Sequence, residues 1–230
     1  MATTSQLNKA GKTLRVWWQE PSALGPVEVR AAVALLTEYR AAHSRPLIKA
    51  NNGLRSVVRT EGCAIEVSQR LKRMATILDK LARQPTMALS KMQDIGGCRA
   101  ILADIEELRR VERRLAKIRP PVRVDDYISN PKQSGYRAVH LVVRYDDRCI
   151  EVQLRTRLMH EWAVAVERLG GRRDEDLKSG KGQPEVLIWL KTVADALAIE
   201  ERGIIVDSEL TDRIRRLRAA ALPFLPGGTR

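Results

Sequence analysis

Cysteine, histidine and aromatic residues are scarce in this chain of 230 residues. Cys63, Cys98 and Cys149 stand far apart without a CxxC spacing, which excludes a disulfide scaffold and a zinc knuckle and suits a reducing, cytoplasmic setting. His43, His140 and His160 are too few and too scattered for a multi-histidine metal site. His160–Glu161 opens like a zinc-protease helix, but Val164 occupies the place of the second histidine. With 4 Trp, 4 Tyr and 1 Phe, a groove lined by many stacked bases is not expected. No uncharged apolar run is long enough to span a bilayer, and the polar start Met1–Arg15 lacks the apolar centre of a signal peptide, so no membrane partner is expected. Gly180–Lys181–Gly182 is not followed by Ser or Thr and is therefore not a nucleotide-binding phosphate loop.

What the chain does have is a 44% hydrophobic fraction, enough for a real core, and 41 Lys and Arg against 28 Asp and Glu. The resulting net charge of +13 points to polyanionic partners: nucleotides, RNA or DNA. Apolar spacing predicts helices over Val27–His43, Arg73–Arg83, Ile105–Ile118, Thr156–Leu169, Glu185–Arg202 and Ser208–Ala221. Ala64–Leu71 alternates loosely. Gly97–Leu102, Val122–Asp126, Arg137–Arg144 and Cys149–Leu154 read as strands, the last two joined by a hairpin turn through Asp146–Asp147. Pro46 and Asn51–Asn52–Gly53 make Ser44–Gly53 a connection. The pattern is a mixed α+β fold, a small mixed sheet with helices before, between and after its strands.

One region carries chemistry. Arg70, Lys72, Lys80 and Arg83 set four cations along a strand end and the helix after it. Asp94 sits at a turn leading into an apolar strand. Glu151 lies within Cys149–Leu154, where Ile150, Val152 and Leu154 mark the buried face and Glu151 shares the other face with Gln153. Two such carboxylates in one sheet can converge on a single Mg²⁺, which takes one or two carboxylates together with phosphate oxygens. Among arginines and lysines, that pair suits transfer chemistry on a nucleoside triphosphate.

Four ordered motifs extend this reading: Arg70-x-Lys72-xxx-Thr76–Ile77-xx-Lys80-xx-Arg83, Asp94–Ile95-x-Gly97-x-Arg99, Asp126–Tyr127–Ile128-xx-Pro131–Lys132-xx-Gly135–Tyr136-xxx-His140, and Glu151–Val152–Gln153–Leu154–Arg155–Thr156. Together they resemble the synthetase domain of the RelA/SpoT family, over residues 27–169. The resemblance implies a nucleotidyltransferase-like sheet, ATP and Mg²⁺, and transfer of the ATP β,γ-pyrophosphate to a ribose 3′-hydroxyl. It implies Asp94 and Glu151 as catalytic metal carboxylates, with Glu151 also helping to activate the hydroxyl. It implies Arg70 and Arg99 flanking adenine, and Lys72, Lys80 and Arg83 clamping phosphates. On the acceptor side it implies Tyr136 stacking on the base, with Lys132, His140 and Gln153 beside it. Hydrolase activity is not implied, because the family's His-Asp metal motif is missing. Thr76 stands where Ser is common, and Ala138–Val139 is less polar than in many relatives.

A catalytically inactive RNA-binding module is a further reading, which the Asp94–Glu151 pair opposes, and the resemblance itself leaves two acceptors open. One is GDP or GTP, yielding (p)ppGpp. The other belongs to a toxic branch of the small synthetases, which modifies the 3′-terminal adenosine of tRNA, with an antitoxin protein as a possible partner. Net charge favours tRNA, since phosphate contacts supply most non-specific RNA affinity. Lys9, Lys12, Arg15, Arg172, Arg173, Lys178 and Lys181 are then the candidate RNA-facing positions. The organisation expected is a basic segment over 1–26, the synthetase domain over 27–183 and a helical extension over 184–230.

Overall fold

The computed structural model of the chain describes residues 2–171 and 177–225. Helix α1 (Thr4–Gln19) starts at a capping box: Gln6 donates its backbone N–H to the Thr3 hydroxyl at 3.2 Å, and Thr3 donates its own to Gln6 Oε1 at 2.8 Å. Its Leu7, Ala10 and Leu14 pack with Leu36 and Tyr39 of α2 (Pro26–Ala41) and with Ile77, Leu78 and Leu81 of α4 (Met74–Arg83). Arg15 locks this layer. It donates to the carbonyls of Leu81 at 2.7 Å and Met87 at 2.6 Å, tying α1 to the end of α4 and the segment beyond it.

The expected connection over Ser44–Gly53 is instead the start of α3 (Ser44–Thr60). Pro46 lies in the first turn, where a missing N–H breaks no intrahelical bond. Leu47, Ala50, Leu54, Val57 and Val58 then recur at helical spacing and are all buried. That burial outweighs the turn preference of Asn51–Asn52–Gly53. Gly53 itself lies beneath Tyr145, whose hydroxyl oxygen would stand 2.9 Å from a side-chain carbon at that position.

The strands are β1 (Val67–Leu71), β2 (Gly96–Leu102), β3 (Arg123–Asp126), β4 (Val139–Tyr145) and β5 (Arg148–Thr156). They form a mixed sheet in the order β1-β2-β5-β4-β3, with β2 and β5 parallel and the other pairs antiparallel. Asp146 and Asp147 turn the β4–β5 hairpin at φ of 44° and 60°, a left-handed pair of the kind short polar side chains tolerate. Cys98, Ala100, Leu141, Ile150, Val152 and Leu154 on one sheet face pack against α3 and α5 (Ile105–Ile118), the latter through Leu108, Val111 and Leu115.

The opposite face carries most of the polar strand residues, with Val142 and Ile101 among them. Helix α6 (Arg157–Gly171) follows β5, and α7 (Pro184–Glu200) and α8 (Ser208–Ala221) close the chain. α6 and α7 share an apolar cluster of Tyr136, Trp162, Val166, Leu177, Val186, Leu190 and Ala194. Among the described residues, no helix is long and apolar enough to cross a membrane.

Replacing Arg15 with Ala removes charged hydrogen bonds to two carbonyls, so a loss of about 1–3 kcal/mol is expected. Urea denaturation of the variant checks this, and an unchanged midpoint would show that the clamp contributes nothing.

Candidate active site

Strand register gathers the motif residues. Arg70 faces Gly97, which faces Glu151. One step along, Arg99 faces Gln153, and Gln153 faces His140. Paired positions share a face, as do positions two apart on a strand. Arg70, Arg99, Glu151, Gln153 and His140 therefore stand on one side of the sheet, opposite the core.

Lys72 continues the β1–β2 pairing beyond the strands, donating its backbone N–H to Ile95 at 2.8 Å. This brings its ammonium to Asp94. Asp94 Oδ2 accepts from Lys72 Nζ at 3.0 Å and from Lys80 Nζ at 2.9 Å, while the buried Oδ1 accepts no hydrogen bond. Burial alone would raise the Asp94 pKa, but the two lysines hold it below the usual carboxylate range. Lys80 also lowers the pKa of Glu151, so one ammonium serves both carboxylates. Arg83 lies on the exposed side of α4 and pairs with Asp79 on its own helix at 3.0 Å.

Glu151 is the end of a closed hydrogen-bond circuit. His140 Nδ1 donates to Glu151 Oε1 at 3.1 Å, and Gln153 Nε2 donates to Oε2 at 2.7 Å. His140 Nε2 lies 2.6 Å from the Tyr136 hydroxyl. Arg155 Nη2 donates to that hydroxyl at 2.9 Å and to Gln153 Oε1 at 3.0 Å. A guanidinium only donates and a carboxylate only accepts. With a neutral imidazole, Tyr136 gives its hydrogen to His140 Nε2 and the ring hydrogen sits on Nδ1. Burial raises the Glu151 pKa, yet the bonds from His140 and Gln153 and the Lys80 charge hold it down to about 2.

For two expected roles the side chains are already engaged within the fold. Tyr136 is fully buried. Its hydroxyl is committed to the circuit, and the ammonium groups of Lys178 and Lys132 lie 4.6 and 5.3 Å from its ring centre. No ring face is open for stacking on a base in this arrangement. The period-2 pattern could not show this, because the covering lysine comes from beyond the matched motifs. Among the RNA-facing candidates, Arg15 is spent on carbonyls and Lys178 is turned inward, paired with Glu167 at 2.9 Å. Lys9, Lys12 and Lys181 are exposed, and Arg172 and Arg173 lie outside the described residues.

Sequence reasoning assigned no site role to Arg155, which is fully buried, or to Glu201, which follows α7. The Glu201 carboxylate, itself almost wholly buried, accepts from Arg137 Nη1 and from the Thr156 hydroxyl, the immediate neighbours of Tyr136 and Arg155. Gly135, at φ 88°, lets α7 lie close: a side-chain carbon there would stand 2.7 Å from Ala194 Cβ.

A folded pKa below the ordinary glutamate value means that ionised Glu151 stabilises the fold above that value. This contribution is lost as pH falls from about 4.5 towards about 2. In metal-free buffer, the stability gap between wild type and Glu151→Gln should be largest at neutral pH and should close across that window. A gap independent of pH would contradict the circuit.

Comparison with known proteins agrees with this geometry. A family profile described as a region found in RelA / SpoT proteins matches residues 69–168. The GTP pyrophosphokinase YjbM of Bacillus subtilis is 34% identical over 166 residues, covering 67% of this chain and 75% of that protein. A GTP pyrophosphokinase of Escherichia coli (strain K12) is 28% identical over 202 residues, and there the match spans only 26% of the longer relative. The crystal structure of the small alarmone synthetase 1 from Bacillus subtilis bound to its product pppGpp superposes with a TM-score of 0.60 at 27% identity, covering 81% of this chain and 97% of that one. Four motifs gathered on one sheet face, and a relative matched over three quarters of its length, lead to one conclusion: this chain belongs to the RelA/SpoT family.

Proposed function

We propose that the protein is a pyrophosphokinase that moves the β,γ-pyrophosphate of ATP to the 3′-hydroxyl of GDP or GTP. The observation that carries this reading is the pair Asp94 and Glu151, two ionised carboxylates sharing Lys80 within a ring of arginines and lysines. The names of the Bacillus and Escherichia relatives support guanine nucleotides as the acceptor. In the reaction, the 3′-oxygen bonds to the β-phosphorus, the bond from that phosphorus to the α-phosphate bridging oxygen breaks, and AMP leaves.

The orphaned Oδ1 of Asp94 fits a hard cation, and Asp94 with Glu151 would hold Mg²⁺. When bound, the ion would neutralise charge on the transferred phosphates. Lys72 and Lys80, now on Asp94, are placed to take phosphate oxygens as well. Arg70 and Arg99 lie close enough for one to lower the pKa of the other, with planar guanidiniums suited to an adenine ring. Held down to about 2, Glu151 stays ionised at neutral pH, so it can accept a hydrogen bond from the attacking hydroxyl and orient it. Its contribution is charge and position.

The tRNA alternative rested on surplus positive charge, and two of its candidate contacts are consumed inside the fold. Incubation with ATP labelled in its γ-phosphate, together with GDP, GTP or deacylated tRNA, decides between them. Label is expected on the guanine nucleotide. Label on the 3′ end of tRNA alone would reverse the assignment. With the labelled substrate in hand, Asp94→Asn and Glu151→Gln should each lower turnover by about 10²-fold or more, as for other groups that act through charge. Near-normal turnover in either variant at saturating Mg²⁺ would remove that residue from the site.

A further inference from the structure

Lys178 occupies a position that surface lysines avoid. It belongs to a single turn, Leu177–Ser179, between α6 and α7. Leu177 is buried in the apolar cluster, and the Ser134 hydroxyl donates to the Lys178 carbonyl at 2.8 Å, so the turn is anchored on both sides. The ammonium is thereby held 4.6 Å from the Tyr136 ring centre, with Lys132 over the same ring at 5.3 Å. Glu167 pairs with it at 2.9 Å.

That one carboxylate is outnumbered. Burial, then Arg155, lowers the Lys178 pKa to about 8; Glu167 acts in the opposite direction, and Arg99 adds to the lowering. Arg99 and Arg155 each keep a buried Nε–H that donates no hydrogen bond. Several cations, one pairing acid and unmet donors together make a pocket short of negative charge. A cation over an aromatic face contributes about 0.5–2 kcal/mol, less than a charge-assisted bond to phosphate. An incoming phosphate would therefore compete for the ammonium with the ring and with Glu167.

We propose that Lys178 is a specificity-determining residue that makes acceptor use depend on the 5′-phosphates, exchanging the Tyr136 ring for an acceptor phosphate. This rests on the guanine-nucleotide reading above. An acceptor with a single phosphate offers the ammonium less negative charge in exchange for the ring and Glu167. A diphosphate or triphosphate offers more and satisfies the cation.

The test is kcat/KM for GTP, GDP and GMP in wild type, Lys178→Met and Lys178→Arg, with ATP saturating. Lys178→Met keeps the apolar stem, and thermal melting establishes that each variant is folded. Wild type should prefer GTP over GMP strongly. In Lys178→Met that ratio should fall by about tenfold or more, the scale of one charge-assisted contact, while Lys178→Arg largely retains it and KM for ATP stays within twofold in both. An unchanged GTP-to-GMP ratio in a folded Lys178→Met would overturn the proposal, as would a shift in ATP KM matching that of the acceptor. Wild type that labels no guanine nucleotide at all would instead overturn the reading on which the proposal rests.

Discussion

The site depends on one polarised circuit, the two hydrogen-bonded paths from the Arg155 guanidinium to the Glu151 carboxylate. One path passes through Tyr136 and His140, the other through Gln153. With a neutral His140, every hydrogen along both points towards Glu151, since the source can only donate and the sink can only accept. A buried carboxylate would otherwise take up a proton rather than stay charged. The circuit also stitches β4 to β5 across the face where their side chains meet, so the order of the sheet and the charge of the site are maintained by the same bonds. A buried polar network of this sort is rigid, and losing one member leaves others without partners.

Much of this was legible in the sequence. Alternation over Cys149–Leu154 placed Glu151 and Gln153 on the face away from the core, and the buried Ile150, Val152 and Leu154 agree. The helices over Ile105–Ile118 and Ser208–Ala221 also follow from apolar spacing. What escaped was set by tertiary contact. Ser44–Gly53 carries turn residues whose local preference gives way to a buried helical stripe. Tyr136 reads as a half-exposed ring until a lysine from 42 positions later in the chain is laid on it. Arg155 reads as a strand-end polar residue, and only the fold shows that its guanidinium is fully enclosed.

Net charge proved a coarse guide for a related reason. It counts every arginine as though it faced solvent. In this fold Arg15 donates to carbonyls, Arg109 bridges Glu112 and Asp126, Arg137 meets Glu201 and Arg155 feeds the circuit. These side chains act as internal connectors, a task suited to a planar group with several fixed donors. The net charge of +13 therefore does not say which cations are left to face a long polyanion.

Glu201 gives the C-terminal helices a meaning that their distance from the motifs conceals. Its carboxylate holds Arg137 and Thr156, and these flank the two residues at the head of the circuit. Breaking a buried ion pair from one side costs about 3–5 kcal/mol, because the abandoned charge stays behind. A chain cut just before Glu201 would keep all four motifs intact and lose the footing beneath them. In mechanical terms α7 is a buttress, set against the loop carrying Tyr136 through Ala194 and Gly135.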